Sequence, residues 1–332
     1  MDELFFAVFV VSTAFFLLNV LLTLLIGFAW RLFEKLTLKW SAKRRANFVF
    51  AFRVFPFVLS VSLLLFLFIP SFILHEQENP AEYVSLRLAL LGSATLLLVV
   101  YAVVKTLLSL LKTRNLILKW EREENRLSLS FTKIPVYRIE YQHPVIAVFG
   151  LFKQKIFIDY RVFEILNDDE IEAVLAHEQA HINSLDNLKR LSLSFCHNLT
   201  NLPFCREIET TWENCSEAAA DEFASRAKRT RPLDLASALV KLAREISNVP
   251  SKKYAIASYI SSEAHTPVTW RVERLINLAN SFPQKEEGKN VGSLILKFAC
   301  IVFFIKFLLL VTHTDLLLIT HQIAEVFVKL LI

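Results

Sequence analysis

The chain has 332 residues, of which 54% are hydrophobic, with 29 Phe and a formal charge of +5; its mean hydropathy of +0.44 exceeds what a soluble core of this size needs. This excludes an ordinary soluble globular protein and predicts an integral, mainly α-helical membrane protein. The basic residues lie beside apolar runs instead of forming a patch of their own, so no nucleic-acid partner is expected.

Leu4 to Trp30 is long and apolar enough to cross the hydrocarbon core. Its start is acidic (Asp2, Glu3) and its positive charges follow the apolar run, the pattern of a retained anchor and not of a cleaved signal peptide. Val54 to Leu74 and Leu88 to Val104 predict two further spans. Arg31, Lys35, Lys39, Lys43, Arg44 and Arg45 follow the first span, whereas Glu76, Glu78 and Glu82 dominate the link between the second and third. The positive-inside rule then places the N-terminus outside and the segment from about Lys112 to Asn290 in the cytoplasm. Residues 1–111 are thus expected to form three transmembrane helices with a basic cytoplasmic loop, and 112–290 a cytoplasmic domain. Cys196, Cys205, Cys215 and Cys300 lack paired spacing, which fits reduced, passive thiols.

Within the cytoplasmic segment, Arg126 to Phe131, Val145 to Phe149 and Lys155 to Ile158 read as short strands. From Asp168 the pattern is helical, with breaks near Pro203, Pro232, Pro250 and Pro267. A small sheet followed by helices predicts an α+β arrangement. Asn167-Asp168-Asp169-Glu170 supplies an N-cap and first-turn acids, and Ile171, Val174, Leu175 and Ile182 recur at helical spacing.

That helix carries His177-Glu178-Gln179-Ala180-His181. Two imidazoles four residues apart project from one helical face and can bind one zinc ion, while the carboxylate beside the first reaches a water at the metal. Two ligands leave a catalytic zinc one short. Glu217 is the expected third, with Glu213 its competitor: Ala218 to Ala220 permit close helix approach, and Asp221 could accept the distal ring proton of a ligating imidazole. Asp186, just over one turn beyond His181, could orient a ligand or brace its helix. Lys285 to Lys289 reads as a linker into a fourth span, Leu294 to Val311. Polar residues interrupt the tail from Asp315 to Ile332, which favours an interfacial helix, so 291–332 is expected to hold one span and an amphipathic tail.

HEQAH with Asp186-Asn187 after it, the Glu217 to Asp221 element, and the upstream His143-Pro144-Val145-Ile146-Ala147-Val148-Phe149-Gly150 together resemble the integral membrane zinc peptidases of the BlaR/MecR antirepressor family, a gluzincin group. The resemblance implies a cytoplasmic gluzincin-type metallopeptidase domain, a Zn2+ cofactor, a protein or peptide substrate such as a regulatory repressor, and the inner membrane of a bacterial cell. In that family the fourth span leads to an extracellular sensor; this chain ends at Ile332, so direct antibiotic sensing is not expected. Related membrane gluzincins that process prenylated or misfolded membrane proteins are similar in the same motifs, and His265-Thr266-Pro267 followed by Arg271 looks like part of their pattern. His265 and Arg271 could stabilise an oxyanion, or be a surface imidazole and a solvated guanidinium. Glu178 is the expected general base, and the strand before the zinc helix either pairs with an extended substrate or is an ordinary sheet strand.

Overall fold

The computed structural model describes residues 2–75, 85–122, 126–127, 134–141, 144–226, 230–247, 267–281 and 314–331. Three helices long and apolar enough to cross a membrane come first. They are α1 (Asp2–Thr37), a second helix composed of α2 (Ala42–Leu63), a π-helical turn (Leu64–Phe68) and α3 (Ile69–His75), and α4 (Leu86–Arg122). Each contains one of the three expected apolar runs and extends past it. About 20 residues suffice to cross the hydrocarbon, and the helices carry their surplus into basic ends such as Arg31 and Lys35 on α1 or Lys119 and Arg122 on α4. The expected fourth span, its linker and His265 lie outside the described residues.

Beyond α4, β1 (Arg126–Leu127), β2 (Val136–Ile139), β3 (Ile146–Phe149) and β4 (Lys155–Asp159) form a sheet of order β1-β2-β4-β3. The central β2–β4 pair is parallel and the outer pairs are antiparallel. Two strands fall where the sequence puts them. The strand expected over Arg126 to Phe131 is described only at its first two residues, and β2 was not anticipated, because four residues that include Arg138 are too few to display alternation.

The period of two along β4 sends Ile156 and Ile158 to one face and Phe157 to the other. The first face packs with Val136 against Ile171, Val174 and Leu175 of α6 (Asp168–Ser184) and against Leu235 and Leu239 of α9 (Arg231–Ser247), with the short α5 (Val162–Ile165) at its edge. The second gathers Ile139, Ala147, Phe149 and Phe157 around Trp120 near the end of α4. The third apolar helix therefore runs directly into the core of the sheet.

The first two apolar helices meet the helical half. α7 (Asp186–Leu199) and α8 (Pro203–Ala224) place Leu193, Ile208 and Trp212 against Trp30 of α1 and Val49 of α2. Gly27 of α1 faces the Phe204 ring so closely that a Cβ there would collide with it. At the same junction Arg53 of α2 is buried; its Nε donates to Glu209 Oε1 at 3.0 Å and its Nη2 to the Thr200 carbonyl at 3.1 Å. Two more helices complete the description. α10 (Val268–Asn280) packs on α9, and α11 (Thr314–Leu331), the expected tail helix, lies against the far end of the second span, where Ser71 Oγ donates to the Leu317 carbonyl at 2.6 Å.

Candidate metal centre

The site begins with the way α6 starts and stops. Asn167 Oδ1 accepts from the Glu170 N–H and Glu170 Oε2 accepts from the Asn167 N–H, each at 2.9 Å, closing a capping box that fixes the first turn. The helix stops at Leu185, whose φ of 55° is left-handed. A side chain in that region costs about 1 kcal/mol. The turn lets α7 start at once and brings Asp186 back beneath His181, with Nδ1 and Oδ2 2.7 Å apart.

His177 and His181 project from one face of α6, and α8 brings Glu217 against them. His177 Nε2 and His181 Nε2 are 3.1 Å apart, His177 Nε2 and Glu217 Oε2 3.3 Å, and His181 Nε2 and Glu217 Oε1 3.6 Å. All three residues are buried, and each offers one ligand atom within 4.8 Å of the others. Atoms bound tetrahedrally to zinc at its usual N and O distances sit about 3.3 Å from one another. The donor set fits that ion. Glu213, the competitor, is one turn earlier on α8 and stands outside the cluster.

A second layer of carboxylates holds the imidazoles. Asp221 Oδ1 lies 3.0 Å from His177 Nδ1, while Asp186 Oδ2 contacts His181 Nδ1 and also accepts from Ser216 Oγ at 2.6 Å. With each Nδ1 facing a carboxylate, each Nε2 is left to point inward. Arg271 is 2% exposed, which removes the solvated alternative. Its Nε and Nη2 donate to Asp221 at 3.1 and 2.7 Å, and its Nη1 lies 3.2 Å from Glu217 Oε2.

These neighbours set the charges. Burial alone would raise the Glu217 carboxyl, but His181, Arg271 and His177 hold it well below the ordinary range. Burial likewise opposes ionisation of Asp221 and Asp186, and is overcome by Arg271 and His177 in the first and by His181 in the second. At His177, burial and Arg271 push the pKa down, yet hydrogen bonds to Asp221 and Glu217 carry it up to about 10. Glu178, half-buried beside His177 and outside the donor cluster, has its carboxyl raised by burial against the pull of His181 and His177.

The neighbouring strand β3 has one side engaged. The Asp159 N–H donates to the Val145 carbonyl at 2.9 Å, so alternate residues 145, 147 and 149 face β4 and 146, 148 and 150 face away. Asn187 Nδ2 donates to the outward carbonyls of Val148 and Gly150 at 3.1 and 3.0 Å. Gly150, at φ +99°, permits the turn that presents its carbonyl there.

Of the residues singled out in the sequence, His177, His181, Glu217, Asp186, Asp221 and Arg271 converge here. Sequence reasoning missed Arg190, one turn beyond Asp186 on α7, whose Nη2 lies 3.6 Å from Glu217 Oε1. Its spacing from Asp186 was the available signal. His197 contacts Glu209 at 2.9 Å through Nδ1 and belongs to the Arg53 junction.

The family model described as Peptidase family M48 matches residues 102–206. That stretch contains the sheet, α6 and α7, hence His177, Glu178 and His181, and ends before Glu217, which enters the cluster on geometry alone. No curated protein matches the chain. The match supports an M48-type peptidase and does not carry antirepressor specificity; with the metal-competent cluster and three apolar helices, it supports a membrane-associated metalloprotease.

Proposed function

We propose that the chain is a membrane-embedded zinc endopeptidase that cleaves a protein at or near the cytoplasmic face of a bacterial inner membrane. One observation carries the reading: three buried donors at zinc spacing stand beside a carboxylate, Glu178, that is adjacent to them and not one of them. A purely structural metal site has no need of that fourth group.

In this reading His177, His181 and Glu217 hold the metal, which when bound supplies Lewis acidity and a water of lowered pKa. Asp221 and Asp186 keep both imidazoles oriented through their Nδ1 atoms. Glu178 takes a proton from the attacking water and passes it to the amine that leaves. An extended substrate pairing with β3 would use its Ile146 end, since Asn187 already engages Val148 and Gly150 on the outward side. The organisation we assign is three transmembrane helices in 1–111, the peptidase domain in 112–290, and a fourth span with an amphipathic tail in 291–332. The basic stretch from Arg31 to Arg45 supports a cytoplasmic domain.

The substrate is either a regulatory repressor, as the antirepressor resemblance suggests, or a membrane protein under quality control. One contact favours the second. Glu209, bonded to Arg53 of the second span, lies two helical turns before Glu217 on the same helix, so the site is about 12 Å along α8 from a membrane helix.

The test uses full-length protein purified in detergent. Wild type should bind zinc near one equivalent and cut casein in a chelator-sensitive way, and Glu178→Gln should keep the zinc and lose cleavage. Zinc binding without turnover would favour a signalling scaffold. Fragments that appear in cells with wild type and vanish with Glu178→Gln identify the substrate.

A further inference from the structure

Glu217 stands between two cations that differ in what they have left to offer. Arg271 is committed inside the protein: Nε and Nη2 bind Asp221 and Nη1 approaches Glu217 Oε2. Arg190 comes from the other side, toward Oε1. Its Nη2 is 3.6 Å from that oxygen, beyond hydrogen-bond length, and is buried with no hydrogen-bond partner. Its side chain as a whole is 31% exposed. The guanidinium thus reaches from the surface into the site.

One further contact locates it. The guanidinium carbon lies 6.0 Å from the Trp212 ring centroid, over a buried aromatic surface that limits its orientation. Its charge acts on Glu178, opposing the effect of burial on that carboxyl. Arg190 therefore stands at one edge of the donor cluster and bears electrostatically on the expected base. A buried N–H without an acceptor is unfavourable and uncommon, and a bound ligand oxygen is one way to satisfy it.

Resting on the peptidase reading above, we propose that Arg190 is a catalytic residue whose Nη2 donates to the carbonyl oxygen of the scissile peptide bond as negative charge develops there. As the water oxygen bonds to the carbonyl carbon, the C=O π pair moves onto oxygen, beside the guanidinium, and Glu178 takes the water proton. When the C–N bond breaks, that pair re-forms C=O and the proton goes to the departing amine. The role falls to a side chain with a donor to spare, whereas Arg271 is engaged with Asp221 and Glu217.

The experiment compares full-length wild type, Arg190→Gln and Arg190→Lys, each in detergent with zinc. It measures bound zinc, kcat and KM on casein, and affinity for two metal-directed probes: a phosphoryl dipeptide, which presents a tetrahedral anion, and a planar peptide hydroxamate. Arg190→Gln should keep its zinc and lose kcat by about a hundredfold or more, with KM within about threefold. Affinity for the phosphoryl dipeptide should drop by a similar factor while the hydroxamate binds as before. Arg190→Lys should recover part of both losses, and it carries the comparison where the Gln variant does not fold. Unchanged kcat, equal loss of both probes, or loss of zinc would each overturn the assignment. A wild type that takes up no zinc or leaves casein intact refutes the peptidase reading itself, independently of either variant.

Discussion

His177 is held between opposing influences. Burial and Arg271 favour the neutral ring, and hydrogen bonds to Asp221 and Glu217 favour the protonated one strongly enough to bring its pKa from 6.5 to about 10. A metal needs the Nε2 lone pair, so below that pKa zinc binding displaces a proton. Zinc affinity should accordingly fall as pH falls, about tenfold per unit for one displaced proton. Chelator competition between about pH 6 and 9 reads this slope, and a flat Kd would mean that the ring is neutral before the metal arrives. Asp221→Asn removes the carboxylate that holds the proton, so its slope should be shallower, while affinity at the upper end of the window falls about 10- to 100-fold through loss of the orienting partner. Much of this chemistry was legible beforehand. The spacings His177-His181 and Glu217-Asp221 are local helix periodicities, whereas the tie between Arg271 and Asp221 joins residues 50 positions apart, a pairing no local pattern encodes.

Helix α6 is fixed at its start by an acid with more than one task. Glu170 closes the capping box with Asn167 and also reaches α9, accepting from Ser237 Oγ at 2.6 Å and from Lys241 Nζ at 2.8 Å. Burial would raise its carboxyl, but Lys241, Ser237 and Asn167 more than offset this and leave the pKa lowered. A pKa lowered by folding stabilises the native state above the unfolded value of about 4.5 and loses that contribution as pH falls through the folded value. Glu170→Ala should therefore destabilise the protein by about 1–2 kcal/mol at neutral pH, with the gap to wild type closing in acid. Thermal unfolding in detergent at several pH values measures it; a gap that ignores pH would mean the ionised carboxylate is not what stabilises α6. The cap half of this arrangement was readable from Asn167 to Glu170, because caps are local in sequence. The α9 half was not, because Ser237 is 67 residues away and its role depends on how two helices cross.

The whole molecule is tied together where membrane helices meet the helices of the site. Hydropathy gave the three apolar helices, since lipid asks only for an apolar exterior, but it gave no sign that α8 would pack along the second of them. Arg53 shows why. In sequence it only precedes the apolar run beginning at Val54; in the fold it is 3% exposed and paired with Glu209, which His197 contacts from the other side, while Thr200 Oγ1 donates to Asn19 Oδ1 of α1 at 3.0 Å. Breaking a buried pair by removing one member leaves the other charge uncompensated, at about 3–5 kcal/mol, whereas replacing both with apolar side chains is often close to neutral. Arg53→Met should thus lower the thermal midpoint markedly, and Arg53→Met with Glu209→Leu should restore most of the loss. Because Glu209 and Glu217 share α8, zinc retention should follow the same order, weakest in the single variant and recovered in the double. If the single and double variants unfold together, the ion pair is not what couples the spans to the site, and the apolar seam of Trp30, Val49, Ile208 and Trp212 would have to hold α8 in place by itself.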